Sequence, residues 1–195
     1  MTPMDKSYRI NEIFYSLQGE GAYTGVPMIF VRFSGCNLRC PFCDTRHESY
    51  EEMTAAQIRE AISQYPCQRV CLTGGEPTMQ VTDELIREAF AGYKVHMETN
   101  GTHPIPSLVD WATVSPKKGN VVIEKCQELK LLFGEGMDDP EEWMHIACEQ
   151  RCLQPVDIAG DPEATRRNTQ AAIEYIQQHP QWRLSLQTHK MTGIR

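Results

Sequence analysis

Short apolar runs alternate with amphipathic stretches along most of this chain, the rhythm of a parallel α/β protein. Met28-Ile-Phe-Val-Arg-Phe33 predicts a first strand. Thr54-Ala-Ala-Gln57 is a capping-box pattern that opens a helix. Ile58, Ala61, Ile62 and Tyr65 then recur at i, i+3, i+4 and i+7, and Pro66 closes the segment. Arg69-Val-Cys-Leu-Thr73 predicts a second strand that runs straight into Gly74-Gly-Glu-Pro77. Residues 83–90 predict a second helix with Leu85, Ile86, Ala89 and Phe90 on one side. Lys94-Val-His-Met-Glu-Thr99 predicts a third strand, closed by the turn signal Asn100-Gly101. Further runs follow at residues 112–115, 129–133, 152–156 and 184–187, with a helix over residues 166–178. Little room is left between the third and fifth strands for covering helices. The expected architecture is α/β, a partial parallel TIM-like barrel of about six strands with fewer covering helices than a full barrel carries. With no repeat, linker or low-complexity stretch in view, residues 1–195 read as a single domain.

Polar residues gather just after the apolar runs: a cysteine-rich loop after the first, Thr73-Gly-Gly-Glu76 after the second, Asn100 after the third. Ser115-Pro-Lys117, residues 154–157 and residues 187–189 follow later runs. In parallel barrels the βα loops converge at the C-terminal strand ends, which form the active face. Six separate segments carrying polar groups to one rim point to an enzyme. A net charge of −7, with no block of Lys and Arg, argues against a nucleic-acid partner. No run approaches the ~20 apolar residues that span a bilayer. Eight cysteines without a visible export signal point to a reducing, cytoplasmic setting where thiols act as ligands or core residues.

The cysteine loop is the sharpest chemical signal. Cys36, Cys40 and Cys43 follow C-x3-C-x2-C. Three closely spaced thiolates can hold three irons of a [4Fe–4S] cube and leave the fourth iron without a protein ligand. Reactive metal sites keep such an open position, whereas structural sites close their shell. S-adenosylmethionine carries the amino and carboxylate groups to chelate that iron, and an electron from the cluster could split its sulfonium into a 5′-deoxyadenosyl radical. His47, however, completes a Cys3His zinc pattern on the same segment, so a zinc-stabilised binding module remains an alternative. For Cys67, Cys71, Cys126, Cys148 and Cys152, core packing is the expectation, since Cys71 and Cys152 begin or lie in apolar runs.

The ordered set of motifs resembles the radical S-adenosylmethionine superfamily: a cysteine triad after the first strand, Gly74-Gly-Glu-Pro77 after the second, Glu98-Thr-Asn-Gly101 after the third. Within it, Ser16-Leu-Gln-Gly-Glu-Gly21, Gly25-Val-Pro27, Cys43-Asp-Thr45, Ser115-Pro-Lys117, Gln154-Pro-Val-Asp157 and Gln187-Thr-His-Lys190 are similar to the 7-carboxy-7-deazaguanine synthase family, over essentially the whole chain. The triad's spacing is that of the superfamily; the synthase resemblance rests on the flanking motifs. It implies conversion of 6-carboxy-5,6,7,8-tetrahydropterin to 7-carboxy-7-deazaguanine with loss of ammonia. The radical takes a hydrogen from substrate C6, the ring contracts, and the hydrogen returns, in a step on the way to queuosine and other 7-deazapurines. A glycyl-radical-enzyme activase would share the triad and the Gly-Gly-Glu but has no use for Gln18-Gly-Glu20 or His189.

The resemblance also implies residue roles. Cys36, Cys40 and Cys43 would ligate the cluster. Phe42, Cys43, Asp44, Gly75, Ser115, Pro116, Lys117, Gln154, Pro155, Val156 and Asp157 would contact S-adenosylmethionine, with Glu76 beside its ammonium group. Leu17, Gln18, Gly19, Arg32, Thr73, His189 and Arg195 would meet the pterin; Arg32 offers a planar fork suited to a carboxylate. Thr45 would ligate Mg2+, which favours hard oxygen donors. A homodimer and an external electron donor such as a flavodoxin or ferredoxin are expected on the same ground.

Overall fold

The computed structural model describes residues 6–41, 43, 45, 48–117 and 119–195. The sequence-expected Phe42 and Asp44, and the His47 of the zinc alternative, lie outside the described residues. The chain forms two compact units. One holds the described residues of Met1–Ser16, Pro27–Thr99 and His103–Ala112; the other holds Leu17–Val26, Asn100–Thr102 and Thr113–Arg195.

In the first unit the strands lie in the order β3 (Glu51–Thr54), β1 (Ser7–Leu17), β2 (Pro27–Phe33), β4 (Arg69–Gly74), β5 (Lys94–Thr99). β2, β4 and β5 are parallel, and β3 pairs antiparallel with β1. Helices α1 (Ala55–Ser63) and α2 (Asp83–Ala89) supply the covering layer. The capping box of α1 forms as its sequence demands: Thr54 accepts from the Gln57 N–H while Gln57 accepts from the Thr54 N–H. Strand alternation sends Ile29, Val31, Phe33, Val70, Leu72, Val95 and Met97 to one face, where they pack with Ile58, Ile62, Leu85, Ile86 and Phe90 of the helices. The opposite face of β2, β4 and β5 carries Met28, Phe30, Cys71 and His96, with Arg32, Thr73 and Glu98 towards its C-terminal end.

In the second unit Thr113 and Val114 of β6 (Trp111–Val114), then β7 (Lys125–Phe133), β8 (Ala147–Pro155) and β9 (Arg183–Leu184), follow one another as parallel neighbours. α3 (Pro162–Gln178) starts on Asp161, whose side chain accepts the Ala164 N–H, with Pro162 in the first turn. α4 (Thr188–Thr192) ends on Gly193 in the left-handed region.

Each of the seven predicted strand runs falls in or against an observed strand, and no helix lies between β5 and β7 among the described residues. Two strands were not anticipated. β1 shows alternation only at Tyr8 and Ile10 before Asn11 and Glu12 interrupt it, and β3 is four residues long. Both are placed by pairing rather than by a pattern of their own, β1 between β3 and β2 and β3 against β1. Cys71 and Cys152 are buried, in keeping with their apolar runs, and Cys126 is buried as well, while Cys67 and Cys148 are half-buried. Among the described residues no helix is long and apolar enough to cross a membrane.

Candidate active site

The first unit carries the cysteine loop at the C-terminal end of β2. Two hydrogen bonds extend the β2–β4 contact beyond the strands: Gly75 N–H donates to Phe33 O at 3.0 Å, and Glu76 N–H to Gly35 O at 2.9 Å. This contact sets the demand for two glycines. A Cβ on Gly74 would lie 2.1 Å from Phe33 O, and one on Gly75 would lie 2.0 Å from Gly35 O and 3.0 Å from Cys36 Cβ. Gly74 also has φ +132°. The pair therefore lets the turn press on the start of the cysteine loop, which only bare backbone allows.

Cys36 and Cys40 are half-buried and Cys43 is exposed; all three are free thiols. Leu38 N–H points at the Cys36 sulfur at 3.4 Å, Cys43 N–H donates to Cys40 O at 3.1 Å, and the Cys43 thiol faces Thr45 O at 3.7 Å. Burial pushes the Cys36 thiol up; the Leu38 N–H opposes this, and the charges of Glu76, Cys40 and Cys43 add to it. Charge on Cys40 or Cys43 thus disfavours the Cys36 thiolate, and iron cations bound by the three would remove that penalty. The donor set therefore fits a cluster, although among the described residues no three ligating side chains are gathered on one metal position.

Glu76 is fully buried. Its Oε1 accepts from Thr78 N–H at 3.0 Å, Thr78 Oγ1 at 2.5 Å and Thr99 Oγ1 at 2.8 Å. One step along the strands, Arg32 stands in register with Thr73 across β2 and β4. Thr73 Oγ1 donates to Glu98 Oε2 on β5 at 2.8 Å, and Arg32 Nε donates to Glu12 Oε1 on β1 at 2.8 Å. Arg32, Thr73 and Glu98 thus form a polar row on the face turned away from the helices. Glu12 and Glu98 were not singled out from the sequence as site residues. Glu98 had a signal, since it opens the Glu98-Thr-Asn-Gly101 motif; Glu12 had none.

The second unit carries the loop after β1 and the C-terminal segment. Leu17 is exposed, Gln18 half-buried and Gly19 buried. Thr188 N–H and Oγ1 both donate to Gly19 O, at 2.9 and 3.0 Å. The His189 ring lies so close that a Cβ on Gly19 would stand 2.2 Å from its Nδ1. Gly19 and His189, 170 positions apart in sequence, are thereby neighbours. Arg195 is exposed.

Beneath that loop is a polar cluster in which Glu128, Lys130 and Ser185 belong to none of the sequence motifs. Glu128 and Lys130 project from the same face of β7, and both are buried. Lys130 pairs with Glu20, whose other oxygen accepts from Gln187 Nε2 at 2.8 Å. Burial works to raise the Glu20 carboxyl, but Lys130, together with Gln187 and Gln154, holds it down at about 2. Glu128 accepts the Ala22 N–H at 3.2–3.3 Å. Ser185 Oγ accepts the Gly21 N–H at 2.9 Å and donates to buried Gln154 Oε1 at 2.8 Å.

Ser115, Pro116 and Lys117 follow β6, where Lys117 Nζ folds back to donate to both oxygens of Ser115 at 2.8 Å. Gln154, Pro155, Val156 and Asp157 close β8. Val156 is clasped by Phe133 O and Asn168 Nδ2, and Asp157 pairs with Lys190 at 2.9 Å. That pairing, with the Thr165 hydroxyl, lowers the Asp157 carboxyl.

Comparison with known proteins agrees with this layout. The family model of the radical SAM superfamily matches residues 30–114. A 7-carboxy-7-deazaguanine synthase of Bacteroides thetaiotaomicron is 47% identical over 189 residues, covering 96% of this chain and 98% of that protein. One from Bradyrhizobium diazoefficiens is 41% identical over 213 residues, covering 97% and 100% respectively. The crystal structure of QueE from Escherichia coli superimposes with a TM-score of 0.70 at 28% identity, covering 92% of this chain and 93% of that one. The fold is accordingly α/β with a mostly parallel, unclosed sheet, a partial TIM-like barrel.

Proposed function

This chain belongs to the 7-carboxy-7-deazaguanine synthase family, and from that premise we propose that it converts 6-carboxy-5,6,7,8-tetrahydropterin to 7-carboxy-7-deazaguanine with release of ammonia. Full-length similarity to synthases favours this over a glycyl-radical activase or a zinc module. A [4Fe–4S] cluster and S-adenosylmethionine, when bound, supply a 5′-deoxyadenosyl radical, chemistry that no side chain offers. The protein's own task is to hold, orient and shield.

Cys36, Cys40 and Cys43 would provide the cluster's three thiolates. Gly75 would present bare backbone to the cofactor's ammonium group, with Phe42, Cys43, Asp44, Ser115, Pro116, Lys117 and residues 154–157 as further cofactor contacts. Thr45 would offer a hard oxygen to Mg2+, which keeps most of its waters. Arg32 meets Glu12 through Nε, so its terminal nitrogens are the part that would receive the substrate carboxylate. The Thr73 hydroxyl gives its proton to Glu98, leaving its oxygen to accept from a pterin N–H. Leu17, Gln18, Gly19, His189 and Arg195 would read the rest of the pterin. Residues 1–195 serve one reaction in this reading, as a cytoplasmic homodimer fed by a flavodoxin- or ferredoxin-type donor.

The observation that carries the reading is the Gly74-Gly75-Glu76 turn pressed onto the start of the cysteine loop, a contact that a single Cβ would block. The test is anaerobic reconstitution, followed by the absorption spectrum and an assay with the tetrahydropterin and S-adenosylmethionine. The expected outcome is a cluster-loaded protein that forms the deazapurine and ammonia. A fully loaded sample that forms neither overturns the substrate assignment.

A further inference from the structure

The pterin-reading loop is gripped from below by buried side chains of the strands that follow it much later in sequence. Lys130 takes the Glu20 side chain, Glu128 the Ala22 N–H and Ser185 the Gly21 N–H. Three successive residues are held by three buried groups, from β7 and from the segment after β9. The fit is tight enough that a Cβ on Gly21 would stand 2.1 Å from Glu128 Oε1. The Glu20 carboxylate also reaches Gln187 Nε2, and Thr188 grasps Gly19 O, so Glu20 and Gly19 together tie the loop to the segment that carries His189.

We propose that Lys130 is a positioning residue for pterin recognition: by holding Glu20 it fixes the Leu17–Gly19 backbone and His189 in the arrangement that reads the substrate. The inference rests on the synthase reading for the identity of the ligand, but not for the mechanics of the loop. A surface lysine would make a weak tether. Lys130 and Glu20 are withdrawn from water, with side chains only 8% and 17% exposed, so the pair acts at short range in a poorly screened setting. The depressed Glu20 carboxyl agrees with a charge pair that persists across the physiological range.

Lys130→Met removes the ammonium while keeping most of the stem's volume. Two readouts are taken on the full chain. Hydrogen exchange, measured without substrate, should show the amides of residues 20–22 exchanging about tenfold faster or more, since releasing the Glu20 side chain loosens the loop that keeps the Gly21 and Ala22 N–H groups on Ser185 and Glu128. With the reconstituted enzyme, KM for the tetrahydropterin should rise about 10- to 100-fold while KM for S-adenosylmethionine moves less than about threefold. Unchanged exchange at residues 20–22, or equal rises in both KM values, overturns the proposal. Stranding a buried Glu20 could also unfold the protein, so the double variant Glu20→Gln/Lys130→Met, which removes both charges, is measured alongside. Recovered thermal stability with a persistently raised pterin KM supports positioning. Recovery of both to wild-type values shows that the pair was structural only and overturns it. Failure of the wild-type enzyme to use the pterin would sink the synthase reading and leave the exchange result standing.

Discussion

Gly75→Ala probes the contact on which the cofactor site is built. Gly75 has an ordinary negative-φ backbone, unlike Gly74, so alanine is acceptable to the residue itself. The obstacle is its neighbour: the new Cβ would stand 2.0 Å from Gly35 O and 2.5 Å from Gly35 C. A carbon–oxygen contact rests at about 3.3 Å, so the two backbones must part by about 1.3 Å. Both partners are main chain, and no side chain can rotate away. The move stretches the Gly75–Phe33 and Glu76–Gly35 hydrogen bonds. Overpacking with loss of such bonds costs about 3 kcal/mol, or a fall in Tm of roughly 6–12 °C for a chain this size. The displacement enters directly at Cys36, the first thiolate. Misplacing a reactive constellation by about 1 Å costs on the order of 100-fold in rate. The assay is iron content plus 5′-deoxyadenosine formation under reducing, anaerobic conditions, beside a thermal melt. Wild-type melting together with wild-type cofactor cleavage would refute the steric argument and the placement of the cofactor with it.

Three further outcomes are expected. Arg32→Lys keeps a cation for Glu12 but loses the planar fork, so KM for the pterin should rise about tenfold with stability within about 1 kcal/mol; an unchanged KM removes Arg32 from the substrate contacts. Thr45→Ala should leave iron content intact and weaken the response of turnover to Mg2+; a normal Mg2+ titration moves the metal elsewhere. Burial, and then the Arg69 charge, lower His96 from 6.5 to about 4, against a smaller opposing pull from Asp110. Because the fold holds it neutral, its contribution is full above pH 6.5 and is lost as pH falls toward 4, about 3 kcal/mol in all. His96→Gln still accepts from Arg69 and should lose less stability between pH 7 and 4.5 than wild type in urea unfolding; equal losses would count against this assignment.

The chemistry was legible in the sequence because it is local. C-x3-C-x2-C, Gly74-Gly-Glu and Glu98-Thr-Asn-Gly each carry their meaning within a few residues, and apolar runs just before them mark the strands that end there. The α1 capping box is a contract among four adjacent residues, and it formed as written. Other features were hidden because their cause is remote. Arg32 looked like a fork waiting for a carboxylate, and only the pairing of β1 reveals that Glu12 already holds its Nε. Gly74 and Gly75 read as freedom to approach a cofactor, whereas their immediate necessity is the backbone of Phe33 and Gly35.

Glu20 and Lys130 make the contrast plainest. They are 110 residues apart, and although Glu20 sits in the Gln18-Gly-Glu20 motif, Lys130 belongs to no motif at all. Alternation along β7 puts Glu128 and Lys130 on one face, but does not say that this face is buried or what it holds. Sequence by itself determined the strand ends, the thiolate triad and the class of chemistry, since these follow from neighbours along the chain. Tertiary structure alone decided which buried charges meet and which backbones touch, because those energies depend on distances set only once remote strands have come into register.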